Sequence, residues 1–305
     1  MEERIKQNRA LQILYVVLVL IITFLVNAIW SFLVVIVYGI VMAMRGGGLP
    51  NPELMMEVMY QDISLLMFSS MYNLLAIGII FIFWRYINKR RTAELGFGYS
   101  HKTRAQILCG ILTAIGAVLL ITILGAGFGF ISFQGLGTDI YSGSQIAASL
   151  LMGVITFLMV GFGEEGVYRA YIQNHIIDML GNKRGLVVSA FIFMAVHMLT
   201  YGKLLDLMDV FLAGIILGYA YILTRSIYLP AAFHFMWDFL QINIFRLQDY
   251  EYYTGPALVL FNNKGDLIMN NFNLGNKLEL VFIIVEILIL ILMHVYREKL
   301  KNLAP

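Results

Sequence analysis

The sequence predicts an all-α, polytopic transmembrane helix bundle of about eight helices with both termini in the cytoplasm. Three observations predict it. Hydrophobic residues fill 60% of the 305 positions and charged residues 13%, against about 45–50% and 25% in an ordinary soluble domain. The apolar residues fall in runs that match the roughly 20 residues a helix needs to cross a bilayer, and a helix satisfies its own backbone polar groups in hydrocarbon. The basic residues collect in alternate loops between those runs.

The first run, Leu11 to Met44, follows a polar N-terminus carrying Arg4, Lys6 and Arg9. It is far longer than the roughly 7–15 residues of a signal-peptide core and reads as a long, tilted span. Arg45, Gly46, Gly47, Gly48 and Pro50 end it, and Glu53, Glu57 and Asp62 make the next loop acidic. A second span covers about Ile63 to Tyr86, followed by a basic loop with Lys89, Arg90, Arg91, Lys102 and Arg104. A third covers about Ala105 to Ile131, and the loop after it holds one charge, Asp139. The fourth helix starts near Ser144, runs through Glu164 and turns amphipathic at Arg169, Gln173, Asn174, His175 and Asp178. Gly181 to Gly185 reads as a turn and Leu186 to Leu199 as the fifth helix. A break at Gly202, Lys203 and Asp206 leads to the sixth, about Leu207 to Thr224. Pro230 suits the first turn of the seventh, about Leu229 to Leu247. Residues 248–277 read as an exposed polar loop with a hairpin at Asn263-Lys264-Gly265, before a last span from Leu278 to Tyr296.

Basic clusters at the N-terminus, after the second span, around Arg184, at Arg225 and at Arg297, Lys299 and Lys301 alternate with acidic or nearly neutral loops. The positive-inside rule then places both termini in the cytoplasm, here expected to be that of a bacterium, with the protein in its plasma membrane. No repeat, low-complexity stretch or linker divides residues 1–305, so one membrane domain is expected. The net charge of +2 gives no argument for nucleic acid; the expected partners are the lipid bilayer and a peptide or membrane-protein substrate. Cys109 is the only cysteine, which excludes a disulfide framework and a cysteine-based metal cluster.

Chemistry concentrates at Gly163-Glu164-Glu165-Gly166-Val167-Tyr168-Arg169. An ionised side chain inside a membrane helix costs about 2.5–3.5 kcal/mol and is rarely kept without a use. Glu165 and Arg169 are four apart and can pair on one helix face, while Glu164 lies about 100° round the helix and stands outside that pair. On the next helix, His197 is 15 residues past a turn centred near residue 182, and Glu164 is 18 before it. At 1.5 Å per residue, antiparallel helices bring the two within about 5 Å of the same level. His234 and Asp238, again four apart, share a face of the seventh helix. Two glutamates, two histidines and an aspartate on three helices predict a polar cavity, expected to open to the cytoplasm. Two chemistries fit. Glu164 with His197 deprotonates a water that attacks an amide carbonyl, and His234 with residue 238 stabilises the oxyanion. Alternatively His197, His234 and a glutamate bind zinc and another glutamate is the base, although no H-E-x-x-H motif supports the metal.

The three elements Glu164-Glu165-x-x-x-Arg169, Phe193-x-x-x-His197 and His234-x-x-x-Asp238 resemble, in that order, the signature of the CPBP family (CAAX protease and bacteriocin-processing, or abortive-infection, proteins). Phe211-x-x-Gly214-x-x-x-Gly218 and Leu229-Pro230 also look like that family. The resemblance covers about residues 145–245 and is similar to the type II CAAX prenyl endopeptidases. It implies a glutamic intramembrane endopeptidase in which Glu164 and His197 activate water, His234 and residue 238 form the oxyanion hole, Glu165 and Arg169 support the site, and no cofactor is required, with zinc as the alternative. The family pattern has asparagine where this chain has Asp238; an amide donates a hydrogen bond to an oxyanion, and an ionised carboxylate cannot. That departure keeps a second reading open, a non-catalytic membrane protein of the same fold acting in bacteriocin immunity, regulation or partner binding. A third, a transporter or ion pathway, predicts a cavity reaching both faces. Glu286 and His294 of the last span have no partner in the sequence pattern and read as structural.

Overall fold

The computed structural model describes residues 8–44, 63–198, 200–247, 255–269 and 272–305. Arg4, Lys6, the span-ending residues 45–50, the acidic loop with Glu53, Glu57 and Asp62, and Asn270 and Asn271 lie outside the described residues.

The described chain is a helix bundle. Helix α1 (Arg9–Met42) starts at Asn8, whose side chain accepts from the Leu11 N–H at 3.2 Å, the expected role of an N-cap asparagine. Helices α2 (Ile63–Ser70) and α3 (Tyr72–Ile82) continue through a wider π turn at Phe83–Ile87 to form one span. Helix α4 is Thr103–Gly127 and α5 is Gly143–Glu165. Ser142 and Gln145 close a reciprocal capping box that starts α5. A π segment, Gly166–Gln173, joins α5 to α6 (Asn174–His197). Helices α7 (Leu204–Thr224), α8 (Tyr228–Phe239) and α9 (Leu278–Val295) complete the bundle, followed by the short α10 (Arg297–Lys301). Six stretches among the described residues are long and apolar enough to cross a membrane. The molecule is an integral, multi-pass, all-α membrane protein, and the predicted helices are all found.

Several boundaries differ from expectation. The fourth and fifth predicted helices are separated by a break at Gly181 alone, at φ 76° and ψ 168°, a conformation that costs glycine little. Asn182–Gly185 are helical rather than a turn. The third helix stops at Gly127, and Ile131–Leu136 forms strand β1. Apolar residues alternate there with polar ones, in a stretch expected to be the end of the span at Ile131 and the loop after it. Residues 255–276 are not a plain loop. Strand β2 (Val259–Asn263) pairs antiparallel with β1, and β3 (Asp266–Met269) pairs antiparallel with β4 (Phe272–Asn276). The segment at Asn263-Lys264-Gly265 is therefore a crossing between two ribbons, not a hairpin tip; the Lys264 N–H donates to Phe130 O at 2.8 Å.

These contacts define two ends of the bundle. At one, Gln106 donates to Leu303 O at 2.6 Å and accepts from Ser226 Oγ at 2.7 Å. There too Arg90 pairs with Asp178 at 2.6 Å, and Gln12 meets His175 at 2.6 Å. Both described termini, the loop from Lys89 to Arg104, the Gly181 break and Arg225 belong to this basic end. The two β-ribbons and residues 200–203 belong to the other.

Small residues set the helix spacing. A Cβ on Gly214 of α7 would lie 3.1 Å from Ala190 Cα of α6, which explains the glycine-spaced stretch from Phe211 to Gly218. On α5, a Cβ on Gly161 would stand 2.8 Å from Ala231 O and 3.1 Å from Phe235 N of α8. Backbone cannot move away as a flexible side chain can. Gly161→Ala is therefore expected to force α5 from α8 and destabilise by about 1–3 kcal/mol, the usual range for overpacking. A lowered apparent melting midpoint in detergent checks this; an unchanged midpoint would mean the two helices relax freely.

Candidate active site

Helix α5 ends at the first motif, and α6 ends at the second, so the Gly181 break folds two helix ends onto one level. Glu164 Oε2 and His197 Nε2 lie 3.9 Å apart, with 17% and 22% of their side chains exposed. The level matching read from the sequence is met. This distance is too long for a direct hydrogen bond and leaves both atoms able to contact one water or one substrate atom. His197 Nδ1 lies 2.7 Å from Phe193 O. A carbonyl only accepts, so Nδ1 carries a proton, and Nε2 is the nitrogen that faces Glu164.

Glu165 turns the other way. Its Oε2 accepts from Arg169 Nε at 2.9 Å, and both side chains are fully buried. Its Oε1 lies 3.1 Å from His234 Nδ1, a contact the sequence spacing did not reveal because it joins different helices. His234 Nε2 faces Asp238 Oδ2 at 3.4 Å. Both ring nitrogens of His234 thus meet carboxyl oxygens, which hold the ring from both sides. The Arg169 guanidinium lies 4.4 Å over the Phe193 ring, which gives the phenylalanine of the second motif a job: it seats the arginine of the first, as cation–π geometry favours.

The structure brings all six sequence-selected residues together. Glu164, His197, His234 and Asp238 line a cavity of about 750 Å³, within the range of ligand pockets. The cavity runs from Leu66, Phe157 and Val160 past the four polar residues to Thr200, Gly202 and Asp266. Thr200 and Gly202 are exposed, and no described residue of the basic end lines it. The cavity thus opens at the end carrying the ribbons, opposite both termini. An opening to the cytoplasm and cytoplasmic termini, both expected from the sequence, are therefore not compatible with each other. Among the described residues the lining does not reach the basic end, whereas a transport pathway would be lined at both ends. Among the described residues no group of three or more His, Cys, Asp or Glu is arranged to hold a metal ion; His234, a proposed zinc ligand, already has both nitrogens against carboxylates.

Other residues of the cavity were not singled out from sequence. Gln241, three positions after Asp238, is 2% exposed and lines it; i to i+3 spacing on the seventh helix was the signal available. Glu286 finds a partner in Asp209 of α7, with a hydrogen bond between the two carboxyl side chains. His294 is exposed beside Arg297.

No curated protein and no solved structure matches the chain. A family model does: residues 146–240 match the Rce1-like family, described as type II CAAX prenyl endopeptidase Rce1-like. All six site residues fall within the match, and it is the family that the three motifs resemble. By that match the stretch from 146 to 240 is similar to the Rce1-like type II CAAX prenyl endopeptidases.

Proposed function

We propose that the protein is an intramembrane endopeptidase that hydrolyses a peptide bond of a membrane-associated peptide or protein with a water activated by Glu164 and His197. The observation that supports it is the pair itself: a carboxyl group and an imidazole nitrogen, 3.9 Å apart, facing a cavity. The pair takes a proton from the water as its oxygen attacks the carbonyl carbon. That proton passes to the amine as the carbon–nitrogen bond breaks. The carbonyl oxygen carries negative charge between those events, and His234 Nε2–H is the donor facing it. Glu165 holds His234 through Nδ1, and Arg169 holds Glu165. We place both termini in the cytoplasm of a bacterial plasma membrane, from the alternation of basic loops.

Asp238 favours the second reading, a protein that keeps the fold without turnover. An ionised carboxylate 3.4 Å from His234 Nε2 competes for that proton and repels an oxyanion. The deciding experiment is cleavage of a peptide library by the purified protein in detergent, as wild type, Glu164→Ala and Asp238→Asn, with and without chelator. Cleavage by wild type that Glu164→Ala abolishes and chelation spares supports the proposal. Loss on chelation that zinc restores moves the chemistry to a metal. One oxyanion donor is worth about 10²–10³ in kcat, so Asp238→Asn is expected to raise turnover by about tenfold or more. An Asp238→Asn variant slower than wild type would show that the carboxylate itself is needed.

A further inference from the structure

A developing oxyanion needs hydrogen-bond donors, and His234 is the donor that faces it. Asp238, one turn along the helix, cannot donate once ionised. The same helix carries a further polar side chain to the cavity. Helix α8 runs on through a π turn at Leu240–Ile244, and His234, Asp238 and Gln241 all line the cavity. Their spacing of four and then three keeps them on one helix face. Helical side chains lean towards the N-terminus of their helix, so Gln241 reaches back over the turn that holds Asp238.

Gln241 is buried. Its side chain makes no hydrogen bond among the described residues, and its Oε1 is buried without a partner. Buried polar side chains are nearly always bonded. Two nearby amides show what a structural role looks like. Asn243 Nδ2 donates to Ser149 O at 3.1 Å and to Ser149 Oγ at 2.9 Å, which ties the π turn to α5. Asn276, another amide of the lining, accepts from the Leu278 N–H at 2.9 Å. Gln241 is tied through its backbone instead, its carbonyl accepting from the Leu247 N–H at 3.0 Å. The main chain is thus fixed and the side-chain amide is left free. π turns inside helices are frequent at functional sites. A free amide names no ligand by itself; its place on the face of His234 gives it a partner in the reaction.

Building on the endopeptidase reading, we propose that Gln241 is a further catalytic residue, whose Nε2–H donates to the substrate oxyanion beside His234 and supplies the donor that a carboxylate at 238 cannot. The oxygen of water bonds to the carbonyl carbon, the carbonyl electron pair moves to its oxygen, and Gln241 Nε2–H meets that charge. When the carbon–nitrogen bond breaks, the pair returns to the carbonyl, and the amine leaves with the proton taken from water. Gln241 itself gives up no proton.

The test uses the full chain in detergent and a library peptide that the wild type cleaves. Gln241→Met keeps an unbranched side chain of similar length and removes the donor. It is expected to lower kcat by about 10²–10³-fold, the worth of one oxyanion donor, with KM within a few-fold of wild type. The melting midpoint should be unchanged or higher, because an unmatched buried acceptor leaves with the amide. Adding Asp238→Asn to Gln241→Met should then raise kcat by a larger factor than Asp238→Asn does alone, since an amide at 238 takes over the lost donor. Gln241→Leu repeats the measurement should Gln241→Met not fold. Turnover within a few-fold of wild type overturns the proposal. So does a loss that tracks a lowered midpoint, or the same gain from Asp238→Asn in both backgrounds. Any of these, alongside cleavage that Glu164→Ala abolishes, leaves the endopeptidase reading standing without Gln241. A wild type that cleaves no member of the library overturns that reading and this proposal together.

Discussion

Glu164→Gln is expected to lower kcat by about 10²–10⁴-fold, the range a positioned general base contributes, with the apparent melting midpoint nearly unchanged. The two halves of that expectation come from different contacts. The substitution keeps the shape of the side chain and removes its basicity. Glu164 stands apart from the buried clasp, since Arg169 and His234 both bind Glu165, so no structural partner is lost. His197→Gln should have a loss of similar size, because its Nε2 faces the same space from 3.9 Å. The double variant should be hardly worse than either single, as residues that act as one unit are not additive. Initial rates on a cleaved peptide, with melting curves for each variant, check this. Glu164→Gln activity within a few-fold of wild type would remove Glu164 from the reaction.

How much of this site was legible follows from where each contact lies in the chain. Pairs four apart on one helix were readable: Glu165 with Arg169, and His234 with Asp238. The Glu164–His197 level was readable because one helical reversal joins them, and axial rise alone sets it. That estimate survived a change in the details, since Gly181 proved to be the break and Asn182–Gly185 proved helical. The contacts between helices distant in sequence were not readable. Glu165 with His234, and Asp209 with Glu286, depend on the rotation and tilt of whole helices, which side-chain packing sets. Apolar period cannot mark a face in a helix apolar all round, and that is why the end at which the cavity opens was not readable. The strands escaped for another reason. Ile131–Leu136 is a short alternating stretch at the end of a long apolar one, and its partner Val259–Asn263 lies far along the chain.

The same burial that hides the clasp makes it the place where a substitution should cost most stability. Arg169→Met is expected to destabilise by about 3–5 kcal/mol, the range for removing one partner of a buried ion pair. Glu165 and Arg169 are both fully buried, so water cannot replace the lost guanidinium. The methionine keeps apolar contact with Phe193 but not the cation 4.4 Å over its ring. Glu165 would then have His234 as its one charged partner, and His234 is also held by Asp238. Glu165→Gln alone should likewise destabilise, because Arg169 would remain charged without a carboxylate. Replacing both residues should cost less than the sum of the singles, since the pair lost together leaves no orphaned charge. Melting midpoints of the four proteins in one detergent give this coupling. Additive midpoint shifts, or an Arg169→Met midpoint equal to wild type, would mean that the pair is stabilised independently of its partner. The kinetic consequence separates the roles of the two glutamates. Arg169→Met protein that still folds should lose turnover through a misplaced His234, with kcat falling, whereas Glu164→Gln loses turnover with the fold intact.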